Sequence, residues 1–257
     1  QLEAETSVAK TVGLVWIPEF IDNFSASIDY FNIEITGEVT SLTAGQIVGN
    51  CYISETFGTE PLCSQFDRDP TDLRITDVRG GYLNISTQVN RGIDMQLGYR
   101  IDTPVGELSA TYQHTRQLEA SQKLFATSEP LDRTGEIGSP KDVGNLMVAL
   151  DYDDWTFNWT ARYIAAVSNG DNITTTYRGE DVRIVVDADA VVYHAFSVTK
   201  EFRDAGLDVT FGVANAFDKE PPKVSSSARV SRLGTSAFYS QYDWLGRRLF
   251  LNASYSF

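Results

Sequence analysis

Alternation with a period of two runs through most of this chain. In "WTFNWTARYIAAV", Trp155, Phe157, Trp159, Ala161, Tyr163 and Ala165 fall on one face, and Thr156, Asn158, Thr160 and Arg162 on the other. "IDMQLGYRID" repeats the design, with Ile93, Met95, Leu97, Tyr99 and Ile101 opposite Asp94, Gln96, Gly98, Arg100 and Asp102. Successive side chains of a strand point to opposite faces, so each segment predicts a strand with one apolar and one polar side. A less strict version marks "TVGLVW", "FSASIDY", "ELSATYQ", "LMVALDY", "VYHAFSVTKEF", "LDVTFGV" and the terminal "LFLNASYSF", giving about nine strands. Two places break the phase. In "DYFNIEI" the apolar positions slip between Tyr30 and Phe31, which predicts a bulge or the point where the strand leaves its apolar surroundings. In the last strand, Phe250 sits among the polar positions Arg248, Asn252, Ser254 and Ser256.

The connections fall into two classes that alternate. Short ones at 18–23, 102–106, 151–155 and 203–206 carry the Asp, Pro and Gly of tight turns. Long ones at 40–80, 119–142, 168–190 and 216–240 exceed the usual length of a structureless loop. Every tight turn then lies at one end of the strands and every long loop at the other. This asymmetry predicts an all-β fold, an antiparallel transmembrane β-barrel with an apolar exterior and a polar lumen. Aromatics gather at the short-turn end, at Trp16, Phe20, Phe24, Tyr99, Tyr152, Trp155, Phe202 and Phe257, as an interfacial girdle requires. A soluble β-sandwich or jelly-roll binding module, with its apolar face packed inward, is the alternative that single strands allow. A smaller complete barrel acting as a passive pore is another. Complete bacterial barrels have even strand numbers, and this chain opens abruptly on the strand-like "QLEAETSVAKTVGLVW". Both features lead to the expectation that residues 1–257 are one portion of a larger barrel.

Composition and charge narrow the function. A formal net charge of −14 argues against a nucleic-acid surface, which needs clustered Lys and Arg. No apolar run approaches the roughly 20 residues of a membrane helix, so a membrane-crossing reading rests on strands. The only cysteines, Cys51 and Cys63, share the turn-rich "GNCYISETFGTEPLCSQ". A two-ligand metal site there would need a His or a second Cys pair nearby, and none is present. A disulfide is the favoured reading; closing so short a loop contributes about 3 kcal/mol in the chain-entropy model and implies an oxidising compartment.

Enzyme signatures are lacking: no P-loop, H-E-x-x-H, G-x-S-x-G or dinucleotide glycine pattern occurs. No catalytic residue, cofactor or metal is therefore assigned. His114 and His194 lie far apart, and His114, in "TYQHTRQ", sits where a strand approaches an outer loop, which predicts an interfacial position. Asp171, Glu180, Asp181, Asp187 and Asp189 lack the spacing of a calcium loop and read as a solvated acidic surface.

Four stretches, in order along nearly the whole chain, carry a family resemblance: "YFNIEI" (30–35), "NRGIDMQLGYR" (90–100), "VANAFDKEPP" (213–222) and "LGRRLFLNASYSF" (245–257). They resemble the carboxy-terminal part of the barrel of TonB-dependent outer-membrane receptors. The resemblance implies a parent barrel of about 22 strands in the bacterial outer membrane. It also implies an amino-terminal plug, a segment that engages TonB, and uptake of a scarce ligand such as a ferric siderophore, haem, cobalamin or a glycan. Outer-loop Arg68, Arg74, Arg79, Arg229, Arg232 and Tyr239 become candidates for ligand contact, since guanidinium groups match anionic chelates. Lumen-facing Arg100 and Arg162 become candidates for lining the path or bonding a plug. The Cys51/Cys63 loop resembles the disulfide-tied outer loop of such receptors, with "TSLTAGQIVGNCY" as a short helix leading into it. A terminal aromatic strand ending in Tyr255 and Phe257 looks like the signal read by the barrel-assembly machinery, although the glycine often found within that signal is missing here.

Overall fold

The computed structural model describes residues 2–84, 87–124, 129–170, 173–225 and 231–256. Among these residues, nine strands run through the main sheet: β1 (Thr6–Trp16), β2 (Phe24–Thr36), β3 (Thr87–Thr103), β4 (Gly106–Lys123), β5 (Asp142–Tyr152), β6 (Trp155–Ile164), β7 (Val191–Phe202), β8 (Leu207–Ala214) and β9 (Arg248–Tyr255). They lie in chain order from β1 to β9, each beside the next, with a two-residue strand at Leu131–Asp132 added to β4. The strand count read from alternation is borne out. Tight turns join β3 to β4, β5 to β6 and β7 to β8, and long excursions separate the other pairs from β2 onward.

Register keeps the two faces distinct. Across β5 and β6, Val148 pairs with Trp159 and Leu150 with Phe157, while Asn145 pairs with Arg162. Across β8 and β9, Phe211 pairs with Leu251 and Leu207 with Tyr255, while Thr210 pairs with Asn252. A slip of one residue would send every apolar side chain to the polar face, so the alternation itself fixes the register. The turns follow from their residues. Asp153 takes φ 54° between β5 and β6, Gly206 takes φ 60° after β7, and a Cβ at Gly106 would stand 2.0 Å from the Asp151 carbonyl oxygen.

Both breaks in phase have the same cause. Phe31 and Phe250 are aromatics on the polar face, and each lays its ring over a glycine of the neighbouring strand. A Cβ at Gly92 would lie 2.6 Å from Phe31 Cζ, and one at Gly212 would lie 2.2 Å from Phe250 Cζ. β2 runs as a strand through the slip, from Phe24 to Thr36.

The apolar face of the sheet is exposed, which removes the sandwich alternative: Leu249 is 71% exposed, Leu251 69% and Tyr255 63%. Protein-buried cores instead lie among the loops. The chain packs into two compact units, one drawing on the loops after β2 and β4 and the other on the rest of the sheet and its loops. In the first, α1 (Ala44–Ile53) starts on Thr43, whose hydroxyl accepts the Gln46 N–H at 3.3 Å while the Gln46 side chain accepts the Thr43 N–H at 3.0 Å. The helix expected in "TSLTAGQIVGNCY" is present. Cys51 and Cys63 are bridged, with Cα atoms 5.0 Å apart, and Leu42, Ile47 and Leu62 are buried around them. In the second, Ile137, Ile164, Val167, Val186, Val191, Val224 and Tyr242 join three of the long loops and the start of β7 into one core.

Candidate functional site

The polar face of the second unit carries a cavity of about 580 Å³, lined in part by Asn145, Thr160, Arg162, Tyr193, Asp243 and Arg248. Alternation places its floor. Arg162 pairs with Tyr193 across β6 and β7, and Thr160 with Ala195, all on the polar side. The Arg162 guanidinium stands 5.3 Å from the centre of the Tyr193 ring, and Tyr193 itself is buried. Among the described residues Arg162 has no carboxylate partner. Arg248, at the start of β9, is held by Asp243 through a two-pronged ion pair, Nη1 to Oδ1 at 2.7 Å and Nη2 to Oδ2 at 3.0 Å. The Asp243 carboxylate also accepts the N–H groups of Leu245 at 3.0 Å and Gly246 at 3.1 Å. The Arg248 hydrogen bonds first, then these backbone donors, hold its pKa below the usual carboxylate range. One guanidinium is thus paired with a carboxylate and the other is presented on an aromatic face, an arrangement suited to binding an anion.

The remaining predicted residues are more dispersed. Arg79 is tied to Asp67 and donates to the Ser64 carbonyl at 2.7 Å, so it staples the disulfide loop. Arg74 pairs with Asp72 at 3.2 Å and is largely exposed. Arg68 lies 5.6 Å from the Tyr52 ring centre and 5.7 Å from that of Phe66, and donates to the Leu73 carbonyl. Arg100 pairs with Glu107 at 3.2 Å near the β3–β4 turn. Arg232 donates to the Gly234 carbonyl at 2.6 Å, within its own turn. Tyr239 packs on the loop core, where a Cβ at Gly138 would lie 2.4 Å from its ring. Tyr255 closes β9 opposite Leu207. Arg229, Phe257 and the acidic Asp171 lie outside the described residues.

Sequence reasoning missed Tyr193, Asp243 and Arg248 as site members. Alternation did put Tyr193 and Arg248 on the polar face; Asp243 falls in an irregular loop, where no period operates. Both histidines lie on the apolar face. His114 sits 3.0 Å from Asp142 Oδ1 and 2.9 Å from the Tyr112 hydroxyl, and Trp159 Nε1 donates to His194 Nδ1 at 3.1 Å. The aromatics expected at the short-turn end do cluster: Trp16 lies 5.7 Å from Phe24, and Phe24 6.5 Å from Tyr99, ring centre to ring centre.

Comparison with known proteins agrees with this geometry. A family model described as "TonB dependent receptor-like, beta-barrel" matches residues 1–216. No curated protein matches. Among solved structures, a variant of the ferric enterobactin receptor of Pseudomonas aeruginosa is similar over 100% of this chain and 32% of its own, with 17% identity and a TM-score of 0.63. The siderophore receptor PirA of Acinetobacter baumannii gives 17% identity and a TM-score of 0.60, also over 100% of this chain and 32% of its own. The FrpB iron transporter of Neisseria meningitidis gives 14% and 0.58, over 98% of this chain and 31% of its own. The chain therefore spans about a third of the length of these structures. At such identities the likeness shows the fold, and the family match extends it: the chain belongs to the TonB-dependent receptor β-barrel family.

Proposed function

We propose that this chain supplies late barrel strands and outer loops to a receptor that takes up a scarce, anionic metal chelate across the bacterial outer membrane. The observation that carries the reading is Arg162, held on the Tyr193 ring without a carboxylate partner among the described residues and facing the cavity of the polar face. A ferric siderophore is the favoured ligand class, because the structural neighbours named above are siderophore receptors and iron transporters. Haem, cobalamin and glycans remain the competing ligands. The chemistry is binding and gated release with no bond making, energised through a plug and TonB. The loops recognise, the polar face offers a path and plug contacts through Arg100 and Arg162, and the apolar face meets lipid.

The test is uptake of labelled iron by cells making the full-length receptor, offered a panel of ferric siderophores one at a time. Uptake of one chelate, lowered about tenfold by Arg162→Gln at equal receptor level, supports the reading. Equal uptake by cells with and without the receptor for every chelate in the panel overturns it.

A further inference from the structure

The apolar face carries a groove of about 470 Å³ across β5 to β8, lined by Leu150, Phe157, Trp159, Val198, Phe211 and Val213 among others. In a barrel of this family that face meets the bilayer. Below the groove, toward the tight turns, the same face ends in Lys200, in register with Trp155 and 5.1 Å from its ring. Trp155 marks the headgroup level. Lys200 Nζ lies 3.0 Å from Asp154 Oδ2, and Arg203 Nε lies 3.0 Å from the other oxygen of the same carboxylate. Arg203 also approaches Glu201 Oε2 at 3.4 Å and donates to the Asp153 carbonyl at 3.4 Å. Lys200 and Arg203 thus share the Asp154 carboxylate, and these contacts do not use all of their N–H donors. The two turns and the end of β7 carry four carboxylates, Asp153, Asp154, Glu201 and Asp204; Asp153 and Asp204 are exposed and have no ion-pair partner among the described residues.

This pattern discriminates between lipids. Acyl contact alone needs only an apolar surface. A headgroup with net negative charge would meet more carboxylates than cations at this turn cluster. A zwitterion matches both signs, a phosphate suiting Lys200 and Arg203 and a primary ammonium suiting Asp153 and Asp204.

We propose that the groove and the turn cluster below it form a binding site for one zwitterionic phospholipid bearing a primary ammonium. The site belongs to the leaflet at the tight-turn end. It depends on the barrel crossing a membrane and is independent of what the receptor transports.

The experiment is native mass spectrometry of the full-length receptor, in detergent micelles supplemented with either phosphatidylethanolamine or phosphatidylglycerol. The wild type should retain phosphatidylethanolamine about tenfold more than phosphatidylglycerol. The double substitution Lys200→Gln with Arg203→Gln, and separately Val198→Trp, which fills the groove, should each lose one phosphatidylethanolamine per receptor. Heat-modifiable gel migration verifies that each variant is a folded barrel, and Val198→Trp keeps the test open if the turn variant fails to fold. Equal retention of the two lipids by the wild type overturns the proposal, as does unchanged phosphatidylethanolamine retention in folded variants.

Discussion

Phe250 lies over Gly212, on the polar face of the last two strands. A Cβ at 212 would meet Phe250 Cζ at 2.2 Å, and on the β7 side would lie 2.9 Å from the Phe196 carbonyl oxygen. The two residues are paired in register, so the ring fills the space that glycine leaves open. The contact resists a slip of β9 along β8, because a slip by one residue would put this ring on the apolar side and Leu249 and Leu251 on the polar one.

Gly212→Val should therefore displace the ring and cost about 1–3 kcal/mol through overpacking. The expected sign is a lower temperature for loss of the folded, heat-modifiable band of the full-length receptor. Gly212→Val combined with Phe250→Ala should recover part of that loss, since the clash with the ring needs both partners while the approach to the Phe196 carbonyl remains. No recovery in the double variant would count against the ring as the cause.

Replacing both Cys51 and Cys63 by Ser should loosen the loop locally. The expected cost is about 3 kcal/mol, confined to the bridge and the residues packed on it. Amide exchange should accelerate in α1 and at 57–65, and stay unchanged in β5 to β8. Thr43→Ala should act in the same place more weakly, by about 1 kcal/mol, through loss of the reciprocal cap with Gln46.

Asp243 gives the acid limb of the pH dependence. Its folded pKa is held below that of the free residue, chiefly by Arg248, so its contribution to stability is present above the unfolded pKa and lost as the pH falls through the folded one. Amide exchange at 243–248 should accelerate below about pH 4, the usual carboxylate range. Asp243→Asn should show the faster exchange already at neutral pH. Exchange in that variant indistinguishable from wild type would mean that the ion pair does not hold the loop.

Tyr242 gives the alkaline limb. Burial pushes its phenol up to about 12 from the ordinary 10, so its contribution is intact below pH 10 and is lost as the pH rises toward 12. Its hydroxyl has no hydrogen-bond partner among the described residues. Tyr242→Phe should therefore leave the loop core unchanged or firmer by about 1 kcal/mol, and should remove the Tyr242 share of the alkaline loss. Near-ultraviolet difference spectra and amide exchange at 237–245 against pH would measure both.

Much of the fold could be read from the residues because a strand has a strict period of two and a barrel gives each face its own solvent. Trp155, Phe157 and Trp159 against Thr156, Asn158 and Thr160 state the whole arrangement locally. The Cys51–Cys63 bridge was legible because a twelve-residue separation acts over short range, and the helix leading into it followed from the family resemblance. Arg162 was legible as a polar-face residue, but its partner was not.

What the tertiary structure decided is everything that joins residues distant in the chain. It set Tyr193 beneath Arg162 and seated Phe31 and Phe250 on Gly92 and Gly212. It also made Arg79 a staple of its own loop and gathered Lys200, Arg203 and Asp154 from two separate turns below one groove. The sequence determined which face each strand residue takes, since backbone geometry alone enforces alternation. It left open which neighbours meet, because pairing across strands and packing among long loops depend on chain path and side-chain volume, for which no local period exists.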